Sequence, residues 1–277
     1  MTRPRRTLTS ESEVLRGVGL HSGQDASLRL CPAPPGAGLV FVDMGSGQEI
    51  PARPENVSDT SRCTILGHGN VRVQTVEHVL AALSALGVDD ARIESQGGEM
   101  PAMDGSARLF ADLVQAAGIR EHGADAVPPL VVTTPVAVQG KDDASIVALP
   151  SETFRVSVML DYPAYAYLGA SAATFGGDAD EFLAQIAPAR TYGFLAELQW
   201  LRAHGLALGA SADNAVALGE TGYETGLRFP NELARHKLLD VLGDLALAGR
   251  PIQAHVLAFK PGHALNVALA RRLCAGA

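Results

Sequence analysis

The 277-residue chain has three cysteines, three lysines and no apolar run long enough to cross a bilayer. Each shortage excludes something. Cys31, Cys63 and Cys274 are too few and too scattered to make a disulfide framework, which points to a reducing cytoplasm. A spanning helix needs about 18–20 consecutive apolar residues, and no such run occurs, so no membrane span is expected. The opening MTRPRRTLTSESEV is basic but has no apolar stretch behind it, so no secretory signal is expected. Basic residues are outnumbered, 22 against 30 acidic, for a net charge of −8. A general nucleic-acid partner is therefore not expected, although one local basic pocket is still allowed. The lysines are Lys141, Lys237 and Lys260; every other basic residue is arginine. Where arginine is the default, a retained lysine either holds a position that wants a compact ammonium or reflects chance on a small count.

What is present is a soluble, foldable composition, 47% hydrophobic and 19% charged. Turn-punctuated β patterns predict strands over Val14–Val18, Ala26–Leu30, Leu39–Asp43 and Val71–Gln74. A helix is predicted from Thr75, as N-cap, to Leu86, with Gly87 just past its end. Ala91–Ser95 reads as a strand and Ser106–Ala117 as a second helix. The polar segment Glu121–Pro129 reads as a linker. The pattern then restarts: a hairpin of Leu130–Val138 and Ala144–Leu149, a strand over Phe154–Tyr162, a helix over Asn231–Ala248, a strand over Ile252–Lys260 and a helix over His263–Cys274. The repeat predicts two similar α+β halves, residues 1–124 and 125–277, each a sheet with helices on one face and a pocket between them. Residues 181–208 do not fit the repeat and read as a hydrophobic insertion, with a helix-like run over Phe194–Leu201.

Chemistry concentrates in the long second-half helix. His236 and Asp240 lie four residues apart, on one face, so an imidazole and a carboxylate can reach one cation. Asp244 follows one turn later. The helix is apolar nearly all round and should be buried, and buried His and Asp need partners or a metal. From this helix alone, a metal-ligand pair and a plain His–Asp hydrogen bond both remain open. In the first half, Glu77-His78 opens the matching helix. His78 can supply a third ligand, while Glu77, turned by roughly 100°, would stand beside the ion as a base. A first-turn Glu favoured by the helix dipole is the plainer reading. Two nitrogens, one carboxylate and an open position make a catalytic zinc set. His263 can project from the start of the last helix, with Asp244 to orient it and keep it protonated.

On these residues the sequence resembles the UDP-3-O-acyl-N-acetylglucosamine deacetylases of lipid A biosynthesis. The matching pieces are Gly17–Gly23, Thr75–His78, Pro101–Ser106, Ala189–Phe194, Arg235-His236-Lys237 with Asp240 and Asp244, and Gly262–Asn266, in order and nearly end to end. The resemblance implies two β-sheet/helix sandwich domains packed helix face to helix face, with the active site between them. It implies a zinc-dependent, cytoplasmic, monomeric hydrolase that removes acetate from a UDP-linked acylated glucosamine. His78, His236 and Asp240 would hold Zn(2+), Glu77 would be the base and His263 the acid, with Asp244 behind it. Thr191 would polarise the acetyl carbonyl. Lys237 and residues around Asp161-Tyr162 would meet the nucleotide. The insertion would line an acyl passage through Phe194, Leu195, Leu198, Leu201, Gly209, Ser211 and Ala215. Cys63 matches a family segment close to the metal but is not read as a primary ligand. The stretch Tyr162-Pro163-Ala164-Tyr165 departs from the family pattern, so base stacking is not carried over. A hydrolase of another acylated amino sugar would show the same residues, and a mere sugar-nucleotide binder would take up no zinc.

Overall fold

The computed structural model describes residues 3–276. Strand β1 (Arg3–Leu8) is followed by β2 (Leu15–Val18), β3 (Asp25–Pro32), β4 (Leu39–Asp43), β5 (Glu49–Pro51), β6 (Val57–Asp59), β7 (Ile65–His68) and β8 (Val71–Val73). Helix α1 (Glu77–Ala85), β9 (Ala91–Gln96), α2 (Arg108–Ala117) and β10 (Ile119–Val127) complete the first half of the chain. Next come β11 (Leu130–Val131), β12 (Val136–Gln139), β13 (Ser145–Leu149), β14 (Arg155–Asp161) and β15 (Ala170–Phe175). The one-turn α3 (Ala179–Glu181), β16 (Tyr192–Phe194), α4 (Leu195–Ala203) and β17 (Val216–Leu218) precede α5 (Glu232–Ala246), β18 (Ile252–Gln253), β19 (His255–Phe259) and α6 (His263–Ala275).

Two five-stranded sheets share one topology. The first has the order β2-β3-β9-β4-β5 and the second β12-β13-β19-β14-β15. In each, two antiparallel hairpins flank a late strand, which runs antiparallel to the first hairpin and parallel to the second. A parallel pairing needs a crossover connection, and here that crossover delivers a helix: α1 ahead of β9, α5 ahead of β19. The repeat of pattern expected from the sequence is thus a repeat of topology. Inward side chains alternate along the strands, as in Leu28 and Leu30 of β3, Ile93 of β9, Val156 and Val158 of β14, and Val256 and Ala258 of β19, all at most 1% exposed. They bury the apolar faces of α1 and α5, which lie against each other. As its composition requires, α5 is buried on nearly every side, including Leu238, Leu239, Val241 and Leu245.

Several boundaries differ from expectation. The predicted linker is in large part strand: β10 pairs antiparallel with β1. Neither partner has a strand-like composition. β1 is held instead by ion pairs, Arg3 to Asp89 at 2.6 Å and Arg5 to Asp90 at 2.6 Å, a tertiary cause that local propensity does not register. Thr75 does not cap α1. It has a φ of 59°, its hydroxyl donates to Glu99 at 3.1 Å, and Val76 occupies the cap position without a side-chain bond. The predicted strand over Ile252–Lys260 is split into β18, parallel to β11, and β19 in the large sheet. Within the insertion, α4 begins one residue after the expected run, and β16 pairs in parallel with β17. No helix among the described residues is long and apolar enough to cross a membrane.

At Gly243 the two helices nearly touch: an added Cβ would lie 2.0 Å from the Glu77 carbonyl oxygen. Replacing a helical glycine by alanine ordinarily stabilises by about 1 kcal/mol, whereas forcing an extra carbon into a filled contact costs about 1–3 kcal/mol. Gly243→Ala is therefore expected to lower the urea midpoint of unfolding. A raised midpoint would show that the helices do not approach this closely.

Candidate metal centre and its cavity

Three ligand atoms converge where α1 begins and α5 passes it. One atom each from His78, His236 and Asp240 lies within 4.8 Å of the others. The His236 Nε2 is 3.4 Å and the His78 Nε2 3.8 Å from the Asp240 Oδ1. The imidazole rings meet edge to face, with centroids 5.0 Å apart. All three residues are buried. The residues expected to act as ligands are thus together, and they come from both halves of the sequence.

The electronic state of the trio suits a cation. Burial pushes the His78 imidazole down to about 3, helped by the neighbouring His236 ring. Burial also lowers His236, against the pull of Asp240. Both rings are therefore neutral near pH 7 and offer lone pairs. His236 donates its Nδ1–H to the Ala189 carbonyl at 3.0 Å, which directs the Nε2 lone pair at the cluster. Asp240 is held ionised: burial opposes this, but Lys237 and the surrounding imidazoles outweigh it. Its Oδ2 accepts from the Lys237 ammonium at 2.8 Å. Its Oδ1 is buried and has no hydrogen-bond partner among the described residues. Such an oxygen is costly unless something fills the gap. A tetrahedral ion with bonds of about 2.0–2.1 Å sets its ligands slightly over 3 Å apart, close to the spacing observed here.

Beside the trio stand a carboxylate and an imidazole of opposite tendency. The Glu77 Oε1 is 3.9 Å from the His263 Nε2. Burial raises the Glu77 carboxyl to about 7, with the His263 charge partly offsetting it. The Glu77 Oε2 accepts from the Thr64 backbone N–H at 3.0 Å, which fixes the carboxylate plane. For His263, burial would lower the imidazole, but Asp244 and Glu77 outweigh it and raise it to about 9. Its Nδ1–H donates to the Asp244 Oδ2 at 2.9 Å. Asp244 also accepts from the Asn266 amide at 2.9 Å and the Thr64 hydroxyl at 2.5 Å. Three donors on one buried carboxylate hold it in place.

These groups open into a cavity of about 1070 Å³. Thr191, Lys237, Tyr162, Phe194, Leu195, Leu198, Leu201, Ser211 and Ala215 all line it, as expected. Gly209 does not: its backbone packs on the first half, where an added Cβ would lie 2.2 Å from the Gly19 carbonyl oxygen. It serves as an anchor for the insertion. The Gly209 and Leu208 amides donate to Leu20 and His21, while Glu197 of α4 pairs with Arg62 at 2.8 Å. Asp161 is likewise absent from the wall, and Cys63 is buried beside Thr75 outside it, its thiol raised by burial. His21 lines the cavity, with a buried Nδ1 that has no partner among the described residues.

Sequence reasoning missed the supports. Glu99, fully buried, accepts from the His21 and Ser22 amides, both at 2.8 Å, and from the Thr75 hydroxyl. One carboxylate thus holds the turn that carries His21 to the residue that launches α1. Arg190 grips Glu232 in the first turn of α5, at 2.9 Å, so that Ala189 meets His236 and Thr191 faces the cavity. Lys141 and Lys260 join Lys237 in the wall, so all three lysines of the chain border one cavity. The lysine scarcity was the available signal. Tyr192, which shares a 2.5 Å hydroxyl contact with Tyr162, had none.

Comparison with known proteins points to one family. A family model described as UDP-3-O-acyl N-acetylglycosamine deacetylase matches residues 5–275. The chain is 46% identical over 272 residues to a UDP-3-O-acyl-N-acetylglucosamine deacetylase of Myxococcus xanthus, covering 97% of this chain and 85% of the relative. A protein of the same name from Anaeromyxobacter dehalogenans is 44% identical over 261 residues, covering 94% and 84%. One from Leptospira biflexa is 42% identical over 273 residues, covering 96% and 88%.

The Asp244 contact predicts a titration. In metal-free protein followed by NMR, Asp244→Asn should lower the His263 pKa, because a neutral amide replaces the charge that holds the proton. An unchanged His263 titration would mean that Asp244 does not set it.

Proposed function

The chain belongs to the UDP-3-O-acyl N-acetylglycosamine deacetylase family, and from that premise we propose that it hydrolyses the N-acetyl group of a UDP-3-O-acyl-N-acetylglucosamine with zinc as its metal, in lipid A biosynthesis. The observation that carries this reading is the unpartnered Asp240 oxygen facing two neutral imidazoles, with an acid–base pair alongside. Two nitrogens and one oxygen with room for a further ligand is a donor set that suits catalytic zinc. When bound, zinc would supply Lewis acidity, polarising the acetyl carbonyl and making water acidic enough to ionise near neutral pH.

The chain's own residues supply the proton transfers. Glu77, raised to about 7, takes a proton from the attacking water. His263, raised to about 9, enters the reaction charged, faces the developing oxyanion and gives its proton to the departing nitrogen. Asp244 holds that imidazolium in orientation without taking its proton. Thr191 donates its hydroxyl to the carbonyl oxygen. Lys237, Lys141 and Lys260 bring three positive charges to the diphosphate in an otherwise acidic protein, with Tyr162 at the nucleotide end. The acyl chain lies along Leu195, Leu198, Leu201 and Ala215, which the insertion contributes. In this reading the two sheets with their helices are two sandwich domains, residues 1–124 and 125–277, packed helix face to helix face around the site. The enzyme works as a monomer in the cytoplasm.

Protein purified without chelator or added zinc should carry about one zinc per chain and release acetate from the UDP-linked substrate. Glu77→Ala and His263→Ala should each lower kcat by at least about 10²-fold with metal content retained, the usual size of acid–base effects. His78→Ala should lose the metal itself. Near-normal rates in the first two variants would refute the assignment.

A further inference from the structure

A second cavity, of about 340 Å³, lies at the other end of α1 and α5 from the metal ligands. Its floor is apolar and comes from both sheets and from α5, with Leu39, Phe154, Phe175, Leu242 and Ile252. Its border carries four arginines, Arg3, Arg6, Arg53 and Arg250, in a protein of net charge −8. Arg3 is neutralised by Asp89 and Arg6 reaches Glu121. Arg53 and Arg250 make no side-chain hydrogen bond or ion pair among the described residues. The other arginines in that condition, Arg16, Arg120, Arg155 and Arg202, are exposed and solvated, whereas Arg53 and Arg250 are half-buried.

Arg53 also reaches the chain just ahead of Arg250: its Nη1 lies 2.6 Å from the place a Cβ on Gly249 would take, and both charges act on Cys274. Exposed Glu55 acts on the same cysteine but pairs with neither. Arginines near the last turns of α1 and α5 would be favoured by the helix dipoles alone. The dipole can favour each charge but leaves the guanidinium N–H groups without an acceptor, since neither side chain bonds a carbonyl among the described residues. Two half-buried like charges bordering one cavity, with apolar residues in its wall, lack a counter-ion with an apolar body.

We propose that this cavity binds an amphipathic anion, a phosphate monoester on a short alkyl or acyl chain. The head sits across the Arg53 and Arg250 forks and the chain on the Leu39–Phe154–Ile252 side. Two guanidiniums on one cavity match a dianionic phosphate better than a single carboxylate. The volume is at the lower end of the range for small-ligand sites, about 300–1,000 Å³, which limits the chain to a short one.

Calorimetric titration of the zinc-loaded full chain with octyl phosphate, octanoate and inorganic phosphate tests this. Octyl phosphate should show two classes of site, because the large cavity also accepts anionic amphiphiles. Arg53→Gln with Arg250→Gln should weaken one class by at least about tenfold, the effect of losing charge-assisted hydrogen bonds, with deacetylation kinetics unchanged. Ala85→Leu, which adds bulk at another residue of the cavity wall and leaves the charges in place, should weaken the same class. Octanoate should bind that class more weakly than octyl phosphate. A single class of site, or two classes that the double substitution leaves alone, overturns the proposal. So does inorganic phosphate binding as tightly as octyl phosphate, since the apolar floor would then contribute nothing.

Discussion

The contact of α5 on α1 at Gly243 is the constraint on which the site depends. With no side chain there, the α5 backbone sits directly against the Glu77 carbonyl. Asp240, one turn before the contact, and Asp244, beside it, are then forced into one small volume with Glu77 and His78 of the other helix. A helix offers one face per turn, so a single close crossing can set a cation trio and an acid–base pair side by side. The candidate ion ligands of α5, His236 and Asp240, come from the two turns before the contact, and the carboxylate that orients His263 comes from the contact turn itself. The sheets act mainly as rigid backing that holds the two helices at this separation.

Within that volume, neighbours separate groups of the same chemical type. His78, His236 and His263 are all buried imidazoles, yet the first two are kept neutral and the third charged. Burial acts in the same direction on all three. The difference lies in the carboxylates: His263 has Asp244 on its Nδ1 and Glu77 beyond its Nε2, while His236 spends its Nδ1 on a backbone carbonyl. The carboxylates divide in the same way. Asp240 has Lys237 and the imidazoles around it and stays ionised, whereas for Glu77 burial outweighs the His263 charge 3.9 Å away and the carboxyl is raised. Like groups acquire different roles from partners a few ångströms away.

The helices of the site are legible in the sequence because their signals are local. Four-residue spacing, an apolar surround and a glycine stop are enough to place His236, Asp240 and Asp244 on one buried face. The strands that alternate apolar and polar residues are equally readable. β1 and β10 are not, since each is a strand only because the other is there, with Asp89 and Asp90 neutralising the arginines of β1. The supports of the site are hidden for the same reason. Glu99 is 78 residues from the His21 amide it accepts, and Arg190 is 42 from Glu232. Nothing in their immediate surroundings distinguishes a buried anchor from a surface charge. Gly209 misleads in a related way. A small residue in an insertion reads as passage wall, but its smallness is used for backbone-to-backbone approach at Gly19.

The shared topology of the two sheets also accounts for the asymmetry of the site. If both halves were finished identically, two helices of equal kind would meet, and the groove between them would be equally open at each end. The first half instead ends its helix α1 after nine residues, while α5 runs for fifteen. The second half adds the insertion, which is tied back to the first by Arg62–Glu197 and by the amides of Leu208 and Gly209. These ties close a roof over one end of the helix pair and leave the other end to the arginines. The apolar wall of the cavity needs cover from water that neither sheet can give, since each has its inner face occupied by its own helices. The cover therefore comes from outside the repeat: Leu195, Leu198 and Leu201, from the part of the sequence that broke the pattern, line the cavity with residues of both halves.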